Sequence, residues 1–409
     1  MVRRLIPILG ITFIDILGFS ILIPTLPYLA LHFNASAFTI GVIFSTFSAC
    51  QLIAGPLWGS ISDRIGRKAV LIISQIGATI GWAMLAFAPN IMWVFIARMV
   101  EGASGGNIGV TQAYVADLVE PKQRARAFGY IGAAFGAGMV FGPVFGGLLY
   151  QHYGFQVTFL AASALQLVTL IVTIFGLPES RTAPEEAVPG FSEIITSFRI
   201  PRLSRILWQK LALSLGLYAW FGVFSLFLAR QMHFGLAETD YYFSAFAILN
   251  VIMNIFIVGR VSDRVGERAL SNLGLGSLVL AFAFVPFVNS IPTLGISLSL
   301  FSLGMAFSNS GITALISNAA TNATQGTVLG VSSALDSFAG MVSPPLSTYA
   351  LGRYGSPYSS VVSGVMAAIA LLMGLAAAPK DKDYKNDDAS PLDALLASPL
   401  RTEEQLAEG

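Results

Sequence analysis

The polar and apolar positions of this chain fall in long blocks rather than in short alternations. Mostly apolar runs, each of about the 20 residues that carry a helix across a hydrocarbon layer, occupy residues 5–29, 39–59, 69–89, 91–117, 126–150, 155–177, 207–230, 241–259, 269–289, 291–316, 326–351 and 357–378. Short polar turns separate them, except for a longer polar stretch at 178–206. We number the runs spans 1 to 12. They predict an all-α membrane protein of twelve transmembrane helices in two six-helix halves. The expected divisions are an N-terminal bundle at 1–177, a central cytoplasmic loop at 178–206, a C-terminal bundle at 207–378 and a disordered cytoplasmic tail at 379–409.

Composition agrees. Of 409 residues, 55% are hydrophobic and 11% charged, against roughly 25% charged in a soluble chain, so there are too few charges to coat a soluble surface. The net charge of +1 gives no bias toward nucleic acid. The single Cys50 excludes an intramolecular disulfide framework. Arg3 and Arg4 precede an apolar run too long for a signal h-region, which reads as the first span. With the N-terminus cytoplasmic, 20 of the 23 Lys and Arg fall on inside segments, as the positive-inside rule requires. Arg230 and Arg353 lie outside and Arg98 within a span. Both termini are then expected inside a cell membrane.

The chain also repeats itself. Gly59-Ser60-Ile61-Ser62-Asp63-Arg64-Ile65-Gly66-Arg67-Lys68 returns 200 residues later as Gly259-Arg260-Val261-Ser262-Asp263-Arg264-Val265-Gly266-Glu267-Arg268. Ala137-Gly138-Met139-Val140 with Pro143 returns 202 residues later as Ala339-Gly340-Met341-Val342 with Pro345. A duplicated six-span unit places a substrate site near the midplane, between the halves.

The loop Gly-x-x-Ser-Asp-Arg-x-Gly-Arg-Lys at 59–68 resembles the signature loop of the major facilitator superfamily. Arg98-Met99-Val100-Glu101-Gly102 is similar to its Arg-containing motif in span 4. Gly138 with Gly142-Pro143-Val144-Phe145-Gly146-Gly147 is similar to the span 5 motif of its antiporters. The stretch from Tyr114-Val115-Ala116-Asp117 to Gly147, and Asp15 with Pro24 and Pro27, resemble the tetracycline/proton antiporters and related drug exporters. This resemblance implies the major facilitator fold and proton-coupled efflux of a small drug-like compound by alternating access. A proton symporter or facilitator for a small metabolite is the second reading. Two departures are evident. Those antiporters carry charged groups in spans 8 and 9, where this chain has Asn250 and Asn254 and no acid in span 9. The family residue at Glu101 is often Gln.

Charge inside a span is expensive and marks function. Asp15, Arg98, Glu101 and Asp336 are the candidates for proton coupling, the other charges lying where water can reach them. Arg98 and Glu101, at i and i+3, can touch, as a switch in which Glu101 or Asp15 exchanges Arg98 for a proton, or as a permanent pair. Asp336 is either a second proton or substrate carboxyl or a group facing the inner vestibule. Gly59, Asp63, Arg64, Gly66, Arg67 and Asp117 are read as a gating latch, with Arg64 or Arg67 pairing with Asp117. The resemblance adds that Asp63 meets the N-terminus of span 11 across the halves. Gly138, Gly142, Gly146 and Gly147 let helices approach closely, and Pro143 is expected to kink the helix. Families of this type line their cavity with spans 1, 4, 7 and 10, which offers Tyr218, Trp220, Phe221, Phe224, Phe301, Met305 and Asn309 for apolar or cationic compounds; each can equally be core.

His32, His152 and His233 sit in different loops, so no metal site is expected, and no Gly-x-x-x-x-Gly-Lys loop for ATP is present. An enzyme would need a nucleophile–base set, which the sequence does not offer. No cofactor is implied. The expected partners are a small-molecule substrate, protons and the lipid bilayer, and not nucleic acid. The resemblance implies a monomer.

Overall fold

The structure, a computed structural model, describes residues 2–105, 107–119, 124–180, 198, 201–319 and 325–376. The expected tail and most of the expected central loop lie outside these residues. The described residues are helix, turn or bend, with no strand, as the hydrocarbon layer dictates: without water, each backbone polar group must be satisfied within its own helix.

Span 1 is the helix Val2–His32, span 2 Ala37–Ile65 and span 3 Arg67–Ala86. Span 4 is broken into Ile91–Ser104 and Asn107–Leu118 by extended backbone at Gly105. Spans 5 and 6 run as Arg124–Gly176, where the dihedrals leave helical values at Gly154 (φ 76°) and not at Pro143. Any kink at Pro143 leaves the dihedrals helical. A proline removes one rung of the ladder without forcing its neighbours out of helical dihedrals. Span 7 is Pro201–Gln231. Span 8 is Leu236–Ile252, continued by a π-helical turn at Met253–Val258 and by Gly259–Val265. Spans 9 to 12 are Glu267–Phe284, Ile291–Asn318, Gln325–Tyr354 and Val361–Leu375. Among the described residues nine helical stretches are long and apolar enough to cross a membrane, and one of them, Ala127–Gly176, has the length of two.

The duplication is written into the turns. Left-handed backbone occurs at Asn34 and His233, at Gly66 and Gly266, and at Gly154 and Gly355. These pairs are 199, 200 and 201 residues apart, so each left-handed position in one half has its counterpart in the other. Glycine costs least at such angles, and Asn and His tolerate them better than most residues. The helix caps repeat as well. Asn90 accepts from Met92 and Trp93 N–H at the start of span 4, and Ser290 forms a reciprocal cap with Thr293 at the start of span 10.

Packing follows the same symmetry. Span 5 lies between span 1 of its own half and span 8 of the other, and span 11 lies between span 7 and span 2. One face of span 5 meets span 1: a methyl on Gly138 would lie 2.9 Å from Ile16 Cβ, and one on Gly146 2.9 Å from Ile21 Cγ2. Between them Gly142 is closed by Ser20 Oγ and the Leu17 carbonyl, and Ser20 donates to the Gly138 carbonyl at 2.9 Å. Its other face meets span 8, with Gly136 against Val251 and Gly147 against Asp240. Span 11 repeats the arrangement: Gly340 meets Tyr218 and Ser48, and Ser347 donates to the Ala219 carbonyl at 2.8 Å.

Among the described residues, contacts between the halves gather toward one end. Gly41 packs on Pro344 and Pro345, Ser45 donates to the Met341 carbonyl, and Phe38 meets Tyr349 edge-on. Toward the end that carries the two repeated loops, Gly55, Gly59, Gly132, Gly259 and Gly330 have open space where a side chain would begin. The end remote from the basic loops is therefore the one at which these contacts close the halves together.

Gly142→Ala and Gly132→Ala test this difference. The first forces a methyl into Ser20 and should cost about 1–3 kcal/mol; the second should stay within about 0.5 kcal/mol of the parent. Thermal unfolding of the purified protein in detergent reads both.

Candidate functional site

Span 4 carries an ion pair in the membrane interior. Arg98 and Glu101 bond through Nη1 and Oε2, with side chains 3% and 6% exposed. The i, i+3 spacing brings them together on one helix face. The Arg98 guanidinium also lies over the Phe47 ring of span 2, 4.2 Å from its centroid, a contact that strengthens when water is excluded. Glu101 presses on span 3 where a methyl on Gly81 would strike its Cγ. The pair is thus seated where spans 2, 3 and 4 meet. Arg98 Nε and Glu101 Oε1 have no hydrogen-bond partner among the described residues. Four residues beyond Glu101, span 4 breaks at Gly105.

Asp15, half-buried in span 1, accepts a hydrogen bond from Gln166 Nε2 of span 6 at 2.8 Å. Asp336 is half-buried in span 11; its Oδ1 accepts from Ser214 at 2.6 Å and lies 2.9 Å from Lys210 Nζ. Lys210 is 5% exposed. The expectation that every charge outside the four candidates reaches water is therefore wrong for three residues: Lys210, Asp240 and Arg67, the last 8% exposed. Lys210 lies nine residues inside a helix that starts at Pro201. Asp240, one residue ahead of the expected start of span 8, belongs to a helix that starts at Leu236, and it is 0% exposed. Asp240 falls outside its expected span because hydropathy misplaces a helix end by a few residues, whereas Lys210 lies inside the expected span 7 and is covered where it meets Asp336 of span 11.

The repeated loop makes its contacts by different chemistry in the two halves. Gly66 (φ 102°) ends span 2 and opens span 3. Glu179, just past span 6, accepts from the backbone N–H of Arg67 at 2.8 Å and of Lys68 at 3.2 Å, satisfying free donors at the positive end of span 3. Arg67 reaches Asp117 at 3.4 Å and Ser62 at 2.5 Å, so of the two arginines expected near Asp117, Arg67 is the one placed there. Arg64 is exposed, Gly59 faces open space, and the side chain of Asp63 lies outside the described residues. In the other half Arg268 donates to the Gly374 and Ala376 carbonyls at the end of span 12, the closest at 2.6 Å. Glu179 escaped the sequence reading. An acid beyond a span is ordinary, and only folding brings it under span 3.

At the closed end span 1 reaches the other half through Tyr28. Its hydroxyl is 2.6 Å from Thr239 Oγ1, 2.9 Å from the Phe234 carbonyl and 3.1 Å from the Gly235 carbonyl.

The aromatic candidates divide. Trp220, Phe224 and Phe301 are buried and taken up by one another and by Phe282, Phe243 and Phe246, with ring centroids 5.1–6.3 Å apart. They build the core of the C-terminal half in this conformation, the core reading of the two open for them. Large rings fill helix junctions better than any other side chain. Tyr218, Phe221 and Met305 are half-buried and Asn309 is exposed.

Relatives of known type share this architecture. The chain matches the Major Facilitator Superfamily over residues 8–237 and 223–402. It is 29% identical to the class C tetracycline resistance protein of Escherichia coli, over 90% of this chain and 95% of that one. It is 27% identical to multidrug resistance protein 2 of Bacillus subtilis (strain 168), over 92% and 95%. Its fold matches a human organic anion transporter with TM-score 0.72 and 22% identity, covering 91% of this chain and 99% of that one. It also matches a bacterial homologue of the human lysosomal transporter Spinster, solved inward-facing and unoccupied, with TM-score 0.76, 15% identity and coverage of 91% and 95%. These relatives and neighbours are transporters, not enzymes. The chain belongs to the Major Facilitator Superfamily and is an integral, multi-pass membrane transporter.

Proposed function

We propose that this transporter is a proton-coupled antiporter that exports a small amphipathic or cationic compound by alternating access. The observation that carries the reading is the buried Arg98–Glu101 pair. A carboxylate in this setting can be neutralised by Arg98, by a proton or by a cationic substrate. The three compete for one site, which is the elementary requirement of exchange. Names borne by relatives at 27–29% identity, tetracycline resistance and multidrug resistance, favour export of drug-like compounds. Asp15 and Asp336 supply two further carboxyls, each held by a polar side chain rather than by lipid.

In this reading the basic loops and both termini are cytoplasmic, so the closed end faces away from the cytoplasm across a cell membrane. The bundles at 1–177 and 207–378 rock about the midplane of a monomer. The latch of Gly59, Asp63, Arg64, Gly66, Arg67 and Asp117 shuts the inner end when the outer end opens. Gly138, Gly142 and Gly146, flanking Pro143, hold span 5 against span 1 throughout, and Gly147 meets span 8 at the closed end. Tyr218, Phe221, Met305 and Asn309 are the span 7 and span 10 residues available to a substrate.

Two measurements bear on this. Glu101→Ala leaves Arg98 charged and unpaired and should destabilise the purified protein by about 3–5 kcal/mol, whereas Arg98→Met with Glu101→Leu should recover most of that loss. An equal loss in the double variant would argue against a buried pair. In proteoliposomes under an imposed pH gradient, export of a fluorescent cationic dye should fall roughly 5–150-fold in Asp15→Asn and Glu101→Gln. Unchanged gradient-driven export in Asp15→Asn, Glu101→Gln and Asp336→Asn would overturn the carboxylate mechanism. Accumulation of a metabolite along the proton gradient would point instead to symport.

A further inference from the structure

Asp240 is used by nothing described so far. It is 0% exposed, yet neither carboxyl oxygen has a hydrogen-bond partner among the described residues. It sits at the closed end, on the seam between the halves. A methyl on Gly147 of span 5 would lie 2.8 Å from its Oδ2 and 2.9 Å from its Cβ. The side chain is thus laid flat on the span 5 backbone, and glycine is the residue that leaves room for it.

Among the described residues, the groups that face it offer no positive charge. Tyr28 of span 1 faces it, and Glu238 precedes it on its own helix. Span 10 and the π-helical turn of span 8 contain no ionisable residue. On span 7, Arg230 is directed at the Leu351 carbonyl. A bare carboxylate in a dry site costs several kcal/mol, and no neighbour offsets that cost. When span 8 separates from span 5 the same side chain meets water, where the carboxylate is stable.

We propose that Asp240 is a proton-binding site in the outer gate, loaded when the gate closes over Gly147 and emptied when it opens. The gate-closed state then holds one more proton than the gate-open state. Acid on the outer side therefore favours closure, and alkali favours opening. The proton enters and leaves on the same side, so it sets the conformational equilibrium without adding to transport stoichiometry. This inference rests on the alternating-access reading above, but not on which carboxyl couples substrate to protons.

The test uses the full chain in liposomes, with Cys50→Ser and spin labels on Tyr153→Cys and Tyr358→Cys, exposed positions in the two outer turns. Electron–electron resonance reports the distance across the gate from about pH 5 to about pH 8. In the parent the ratio of closed to open gates should change by up to about tenfold per pH unit, as uptake of one proton requires. Asp240→Asn should hold the closed distance at every pH. Gly147→Ala, which pushes the carboxyl out of its seat, should open the gate at a pH where the parent is closed, and it gives an answer should Asp240→Asn fail to fold. A parent gate indifferent to pH, an Asp240→Asn gate with the parental response, or a Gly147→Ala gate still closed would each overturn the proposal. Dye export in the same liposomes separates the two readings. Export that ignores the pH gradient while Asp240→Asn abolishes the gate response defeats antiport and leaves the gate standing. The reverse pattern defeats the gate alone.

Discussion

A charge in hydrocarbon must be neutralised by something close, and the central features of this transporter follow from that constraint. Arg98 remains protonated in any membrane environment, so it fixes a permanent demand for negative charge or an aromatic face in span 4. Glu101 and Phe47 meet the demand from two spans, and Gly81 makes room on a third. An acid held this way is stable while Arg98 is its partner and available once a competitor replaces it. Lys210 and Asp336 apply the same chemistry in the other half, at a shallower and wetter position.

The second constraint is that lipid offers helices no hydrophobic reason to associate, so close packing and polar contacts must hold them. Span 5 and span 11 provide both. Each presents small residues to a partner in its own half, and each also packs on a helix of the opposite half, span 8 or span 2. That arrangement joins the two halves along two seams. At the closed end the seams are sealed by Gly41 on Pro344, by Tyr28 on the span 7–8 turn and by Asp240 on Gly147. At the other end Gly55, Gly59, Gly132, Gly259 and Gly330 face open space. The proposed rocking motion would exchange the two ends without disturbing the intra-half contacts of Gly138, Gly142 and Gly146.

The spans and their duplication were legible in the sequence because both depend on properties that average over many residues: hydropathy, the sidedness of Lys and Arg, and a repeated loop. The Arg98–Glu101 contact was legible because one helix turn joins the two. Asp240 was missed because a polar residue near a helix end lowers local hydropathy and makes the span read short; the helix continues past it because span 5 of the other half, rather than lipid, covers that turn. Lys210 lay inside its expected span, and its burial beside Asp336 depends on a partner distant in sequence. The aromatic candidates stayed open between cavity and core for a different reason. Spans 7 and 10 were assigned to a cavity by resemblance, but spacing along a helix does not say which of its faces packs inward, and Trp220, Phe224 and Phe301 went to the core. Glu179 closes a contact of long sequence separation, across 112 residues to Arg67, and no local pattern announces it.

Competition between a proton and a substrate for Glu101 can be observed without transport. Binding and protonation are linked reciprocally, so a cationic substrate added to the purified protein in weakly buffered detergent should displace protons into solution. The most direct measurement is the pH change on substrate addition, compared between the parent and Glu101→Gln. Acidification in the parent that is lost in Glu101→Gln is the expected result. Substrate binding with no proton release from the parent, or with the same release from Glu101→Gln, would contradict exchange at this carboxyl.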